Sequence, residues 1–296
     1  MTVPTRPVLR WHGGKWKLAP WIISHFPPHR VYVEPYGGAA SVLMRKPPAY
    51  ADIYNDLDDE VVGLFRVLRD PRSAERLEAA LALTPFARSE FDLSFEPCDD
   101  PIERARRLIV RSFLAGGTRG VLDISRTQAG FNGGSARSRS GKPQPCHARE
   151  WSTYGHTLPA FVTRLRGVVI ERRPAREVML QHDGQHTLFY VDPPYLPVTR
   201  SKRSRRVYRH EMSHDDHAEL LGCLRDLTGM VVLSGYPAPL YEALLIDWCR
   251  VETQAMADGA RTRTEVLWLN PACTAALARR HAGACAPLFS HAEVDL

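Results

Sequence analysis

Short apolar runs alternate with amphipathic stretches at both ends of the chain and lapse in between. Val31-Tyr32-Val33 stops at Glu34, a glycine-rich turn follows, and Ala39 to Met44 reads as the opening of a helix. A second run, Ala49 to Ile53, carries Asp52 and precedes Val61, Val62, Leu64, Phe65 and Leu68 at helical spacing. Such a βαβα start predicts a parallel sheet with covering helices. From about Asp70 to Arg164 the alternation fails, apart from a helical pattern over Pro101 to Leu114. Gly116 to Pro145 is rich in Gly, Ser and Arg, too polar for a core and too long for an ordinary connector, which predicts a functional loop or an inserted lobe. Strand and helix texture returns at Val168 to Ile170, Leu188 to Val191, Asp215 to Leu227, Met230 to Leu233 and Val266 to Leu269. The sheet is therefore expected to be built from both ends of the chain.

Composition narrows the class without naming a chemistry. With 44% hydrophobic and 24% charged residues over 296 positions, the chain suits a soluble globular protein of one large domain or a core with a second lobe. The six cysteines are scattered and form no Cys-x-x-Cys pair, so reduced thiols are expected and neither a zinc nor a redox site. No run is long and apolar enough for a membrane span, and the amino terminus has no signal-peptide core; a bacterial or phage-encoded cytoplasmic protein is the expectation. A net charge of +6 makes nucleic acid the first partner to consider.

Within the first strand–turn–helix unit, VYVEPYGGAAS ends a strand on an acid and places Gly37 and Gly38 where a ligand can approach bare backbone. The spacing is not Gly-x-Gly-x-x-Gly, and Glu34 before the turn would repel a pyrophosphate, so a nicotinamide cofactor fits poorly. A cationic sulfonium ligand such as S-adenosylmethionine suits an acidic rim better. By itself the turn could be only a turn; Asp52, about the interval at which an acid reaches a ribose in this fold, makes a cofactor contact plausible. Upstream, LRWHGGKWKL sets Trp11 beside Gly13-Gly14 and Lys15, and an indole there can wall a planar ligand.

The sharpest stretch is TLFYVDPPY, a strand that stops on Asp192-Pro193-Pro194-Tyr195. An aspartate at a strand's carboxyl end can accept from an exocyclic amino group, the prolines stiffen the turn and leave the Pro193 carbonyl to accept as well, and Tyr195 offers a flat face to a base. Two acceptors on the hydrogens of an aromatic amine favour the pyramidal geometry that frees its lone pair for attack.

Taken together these segments resemble the Dam-type, D12-class DNA adenine-N6 methyltransferases. RWHGGK is similar to the family's amino-terminal Lys-Trp-x-Gly-Gly-Lys motif, VEPYGGAAS to its Glu-Pro-Phe-x-Gly-x-Gly cofactor turn, ADIYND to its second-strand acid, DPPY to its catalytic tetrapeptide and RTEVLWLNP to its closing strand. Ala40 stands where the family has its second glycine. The resemblance implies a Rossmann-like, S-adenosylmethionine-dependent methyltransferase core with an inserted, mainly helical target-recognition domain, divided as 1–69 and 165–296 for the core and 70–164 for the insert. It implies that Trp11, Lys15, Glu34, Pro35, Gly37, Gly38, Asp52 and Asp192 surround S-adenosylmethionine. Asp192, Pro193, Pro194 and Tyr195 would then hold the target adenine, with double-stranded DNA as partner and no metal.

Phosphate contacts are expected from two basic runs. One, Arg200, Lys202, Arg203, Arg205, Arg206 and Arg209, follows the tetrapeptide; the other, Arg137, Arg139, Lys142 and Arg149, lies in the polar insert. GFNGG, residues 130 to 134, resembles a short family segment, and Arg119, Arg126 and Asn132 are candidate DNA contacts with it. Cytosine-N4 methylation uses the same acceptor geometry, and a catalytically idle DNA-binding regulator with this fold is the alternative of a different class. Methylation of RNA or of protein glutamine is more distant, and the zinc hydrolases and dehydrogenases lack their required residues. A role in a restriction-modification system, in a phage or in housekeeping is left open, as is a monomer or a weak dimer.

Overall fold

The structure, a computed structural model, describes residues 4–116, 130–132, 147–200, 208–257 and 261–284. A seven-stranded sheet has the order β3-β2-β1-β4-β5-β7-β6. Its strands are β1 (Val31–Glu34), β2 (Ala51–Asn55), β3 (Val168–Glu171), β4 (Thr187–Val191), β5 (Met230–Gly235), β6 (Cys249–Ala257) and β7 (Arg261–Leu269). Strands β3, β2, β1, β4 and β5 run parallel, whereas β7 pairs antiparallel with β5, and β6 antiparallel with β7. Burial follows position in the sheet. Every residue of β4 and β5 is buried, because helices cover both faces of a parallel centre; edge strand β3 alternates.

Side chains leave the central strands alternately to two cores. Tyr32, Tyr54, Leu188, Tyr190, Val232 and Leu267 point to one face. Val33, Ile53, Phe189, Val191, Val231, Leu233 and Trp268 point to the other, against α9 (Ala175–Gln181), α10 (His214–Asp226) and α11 (Pro239–Leu244). The first core continues into α1 (Ala19–Ser24), α2 (Ser41–Arg45), α3 (Asp59–Arg69) and the long excursion between α3 and β3. That excursion contains α4 (Pro71–Leu83), α5 (Arg88–Leu93), α6 (Pro101–Leu114), α7 (His147–Trp151) and α8 (Leu158–Leu165). It adds no strand to the sheet among the described residues, and its Leu77, Leu108, Phe113 and Phe161 share a hydrophobic cluster with the sheet.

Local chemistry starts these helices. Asp70 and Asp100 accept the backbone N–H of Ser73 and Glu103, and a proline follows each at the first helical position, where its missing N–H is not needed. Ser213 and Asp216 form a reciprocal cap at the head of α10. The predicted helix over Pro101 to Leu114 matches α6, and the predicted strands near 31, 168, 188, 230 and 266 are all present. β2 runs on to Asn55, two residues past the expected Ile53, and β6 had not been expected. Among the described residues no helix is long and apolar enough to cross a membrane.

The parallel centre is tied off at the start of α12 (Pro271–Ala284). Buried Asn270 accepts from the N–H of Val231 and Cys273 through Oδ1 and donates to the Gly229 carbonyl through Nδ2, each at 2.9 Å. Asn270→Ala strands three buried backbone groups, so it should lower unfolding free energy by about 2–4 kcal/mol, read as a lower urea midpoint at unchanged slope.

Candidate active site

Because β1, β2, β4 and β5 are parallel, their carboxyl ends gather on one side of the sheet, the usual place for a ligand in such folds. A cleft of about 2010 Å³ opens there. A small-molecule site is commonly about 300–1,000 Å³, so this one has room for two ligands side by side. Trp11, Lys15, Glu34, Pro35, Gly37, Gly38, Asp192, Pro193, Pro194 and Tyr195, expected to act together, all line it.

The glycine turn is built for close approach. A Cβ on Gly37 would lie 2.1 Å from the Tyr54 ring, and one on Gly38, whose φ is +47°, would lie 2.7 Å from Trp11 Nε1. The Tyr54 hydroxyl donates to the Gly38 carbonyl, and the Gly38 N–H donates to Asp56 Oδ2. Ala40 sits at φ +52°, the one described non-glycine residue in the left-handed region, on the residue where the family pattern has glycine. The backbone therefore keeps the glycine conformation, at a cost of about 1–2 kcal/mol for an L-residue.

Asp52 lies elsewhere. It is near the start of β2, outside the cleft, and its carboxylate is shared by Lys46 and Arg164, each at 2.7 Å, with all three side chains buried. The acid that reaches the cleft is Asp56, one residue beyond β2. Burial pushes its carboxyl up to about 6, against the backbone N–H groups of Asp58 and Gly38 that pull it down. The extra two residues of β2 explain the displacement: the acid belongs after the strand's true end.

At the end of β4, Asp192 Oδ2 pairs with Lys15 Nζ at 2.9 Å, while Oδ1 is buried and makes no hydrogen bond. Burial raises the Asp192 carboxyl above the ordinary aspartate range, opposed by the ammonium. Lys15 is buried yet held protonated: desolvation disfavours its charge, but Asp192 and Glu265 outweigh it. Its Nζ also donates to the Gly13 carbonyl at 2.8 Å and lies 4.7 Å from the centre of the Tyr195 ring. The Tyr195 hydroxyl meets Ser234 Oγ and Glu265 Oε2, both at 2.9 Å, and its ring packs edge-on to Tyr236. Glu34 accepts from the Tyr32 hydroxyl and the Leu43 N–H, and burial pushes it up to about 8. Ser234, Tyr236 and Glu265 were not anticipated; no local motif marks them, although Glu265 lies within RTEVLWLNP.

The DNA contacts fare differently. The Arg200 side chain lines the cleft but is largely covered, with its guanidinium 2.9 Å from Glu211 and packed on Tyr208. Arg209 likewise pairs with Asp58 and Glu60. Asn132 is off the cleft, where its backbone N–H donates to the Leu114 carbonyl. Arg119, Arg126, Arg137, Arg139, Lys142, Lys202, Arg203, Arg205 and Arg206 lie outside the described residues. No group of His, Cys, Asp and Glu among the described residues is arranged to hold a metal ion.

Residues 11–238 match the family described as D12 class N6 adenine-specific DNA methyltransferase. The chain belongs to that family. Its relatives include the DNA adenine methylases of Salmonella typhi and of Escherichia coli strain K12, each 24% identical over 223 residues, 73% of this chain and 74% of theirs. The Type II methyltransferase M1.LlaDCHI of Lactococcus lactis subsp. cremoris is 24% identical over 257 residues, 82% of this chain and 85% of its own. The protein is a DNA methyltransferase acting on N6 of adenine, which decides against cytosine N4 and against an idle regulator. As a methyltransferase it requires a methyl donor, and its substrate is DNA.

Replacing Asp52 by Ala leaves two buried cations without their counter-ion. In this methyltransferase Asp52→Ala should cost about 3–5 kcal/mol of stability in denaturant titration, with an unchanged KM for the methyl donor in the folded fraction.

Proposed function

We propose that the cleft binds S-adenosylmethionine against the Gly37–Gly38 turn and presents it to an adenine rotated out of duplex DNA and held by Asp192, Pro193 and Tyr195. The observation that carries this reading is the partly buried Asp192 carboxylate, with one oxygen neutralised by Lys15 and the other enclosed and without a partner, at the strand end where the cleft lies. The donor's fit rests on the chain's own chemistry. Glycine is required at 37 and 38, where a Cβ would meet Tyr54 and Trp11, Trp11 walls the turn, and among the described residues ten acids line the cleft, Glu34, Asp56, Asp192 and Glu265 included, against seven lysines and arginines. That acidic surplus suits a cationic ligand; when bound, the donor supplies an electrophilic methyl group on a positively charged sulfur.

The residues then divide the work. Asp192 accepts one N6 hydrogen and the Pro193 carbonyl accepts the other, drawing the lone pair out of conjugation with the ring. As the nitrogen gains a methyl it must shed a proton, and Asp192, whose carboxyl burial has raised, is an acceptor beside it. Asp56 takes the role first expected of Asp52, towards the donor's ribose. A carboxylate this deep cannot touch an amine inside a stacked duplex, so the nucleotide has to leave the stack, at a cost of a few kcal/mol. The helices between residues 71 and 165 would supply the recognition domain, and the basic residues of the two runs the phosphate contacts that offset it.

Transfer of a labelled methyl group to adenine in duplex DNA tests this directly. Asp192→Ala should lower kcat by about 10²–10³-fold; wild-type incorporation by that variant would defeat the assignment.

Glu34 adds a pH signature. Its carboxyl has an ordinary value of 4.5 and is pushed up to about 8 when folded, so between those values the folded chain retains a proton that the unfolded chain has lost. Its contribution to stability is thus fully present below 4.5 and is lost as pH rises towards 8. A cationic donor favours the ionised form, so binding should expel that proton and tighten by up to about tenfold per pH unit from pH 6 to 8. Calorimetry in buffers of different ionisation enthalpy measures the released proton, which should vanish in Glu34→Gln.

A further inference from the structure

Glu265 lies beyond the matched span of residues 11–238, on the strand that runs against the direction of the others. Antiparallel pairing sets Val266 opposite Gly235, which brings Glu265 beside the carboxyl end of β5 and into the cleft wall. There its Oε2 accepts from the Tyr195 hydroxyl at 2.9 Å, while Ser234, on β5, meets the same hydroxyl at 2.9 Å. Glu265 is buried, and burial raises its carboxyl, so this acid is kept in a costly place. Removing it would take one of two hydroxyl contacts, the other being Ser234, from a ring otherwise touched by Lys15 on a face and packed edge-on to Tyr236.

We propose that Glu265 is a positioning residue for methyl transfer: with Ser234 it fixes the Tyr195 ring in the plane in which the target base is held. The inference rests on the assignment of Asp192 and Tyr195 to the adenine. A tyrosine at the end of a turn has two side-chain torsions to spend. Anchoring its hydroxyl to two neighbouring strands at once removes that freedom before the base arrives, which lowers the ordering left to be done at the moment of reaction.

Steady-state methylation of a duplex oligonucleotide tests the proposal with Glu265→Leu, Glu265→Gln and Tyr195→Phe. Glu265→Leu should lower kcat by about 10- to 150-fold, the range of one lost hydrogen bond to a charged group, with little change in KM for the methyl donor. Glu265→Gln keeps an acceptor oxygen at the same reach and should recover most of that loss. In a Tyr195→Phe background the bond is already gone, so adding Glu265→Leu should cost about twofold or less. Fully additive losses, or a wild-type kcat in Glu265→Leu, overturn the inference. Thermal melting of each variant separates misfolding from mispositioning, and Glu265→Gln, which has the same volume, keeps the question decidable if the leucine variant does not fold. Wild-type activity in Asp192→Ala would instead bring down the site assignment, and this inference with it; loss there with an unaffected Glu265→Leu overturns this inference alone.

Discussion

One largely covered ion pair joins the two sides of the cleft. Lys15 arrives on the amino-terminal segment and Asp192 on the end of β4, and their 2.9 Å contact sets where both can be. Neither charge would be tolerated in that position alone, since burial disfavours each. The glycine turn, Trp11 and the Tyr195 ring are arranged around this pair, with Trp11 against Gly38 and the ammonium over the ring. The pair is also asymmetric in a useful way: it occupies one carboxylate oxygen and leaves the other without a hydrogen bond.

Much of this arrangement was readable in the chain. β1, β4 and β5 are buried on both faces, so they appear as continuous apolar runs, and the residues that end them stand out by contrast. Glu34, Gly37, Gly38 and Asp192 were found that way. The same logic failed at Asp52 because Tyr54 and Asn55 resemble the start of a turn although they complete the strand; Tyr54 packs against Gly37, and Asn55 is buried with its amide donating to two carbonyls. β6 escaped notice because it is an edge strand, whose Arg250, Glu252 and Gln254 face solvent between partly covered neighbours. The pairing of Lys15 with Asp192, and of Tyr195 with Glu265, depends on strand order, which no local pattern encodes.

The basic run after the tetrapeptide shows a different limit. Charge density alone suggested that its arginines face a polyanion, yet Arg200 and Arg209 are engaged by Glu211, Asp58 and Glu60. These pairs fasten the segment holding Tyr208 across the cleft, where the Tyr208 hydroxyl donates to the His12 carbonyl and leaves no space for a side chain on Gly13. Two members of an apparent charge cluster thus serve as fasteners of the chain.

The reversed direction of β7 has a bearing on how the enzyme comes into being. During synthesis the glycine turn and the tetrapeptide are completed early, but the wall that receives the Tyr195 hydroxyl is translated after β5 and β6. A fragment that ends before β7 lacks both that acceptor and Asn270, which ties off the parallel centre. The hairpin that closes the sheet thus also completes the wall around Tyr195.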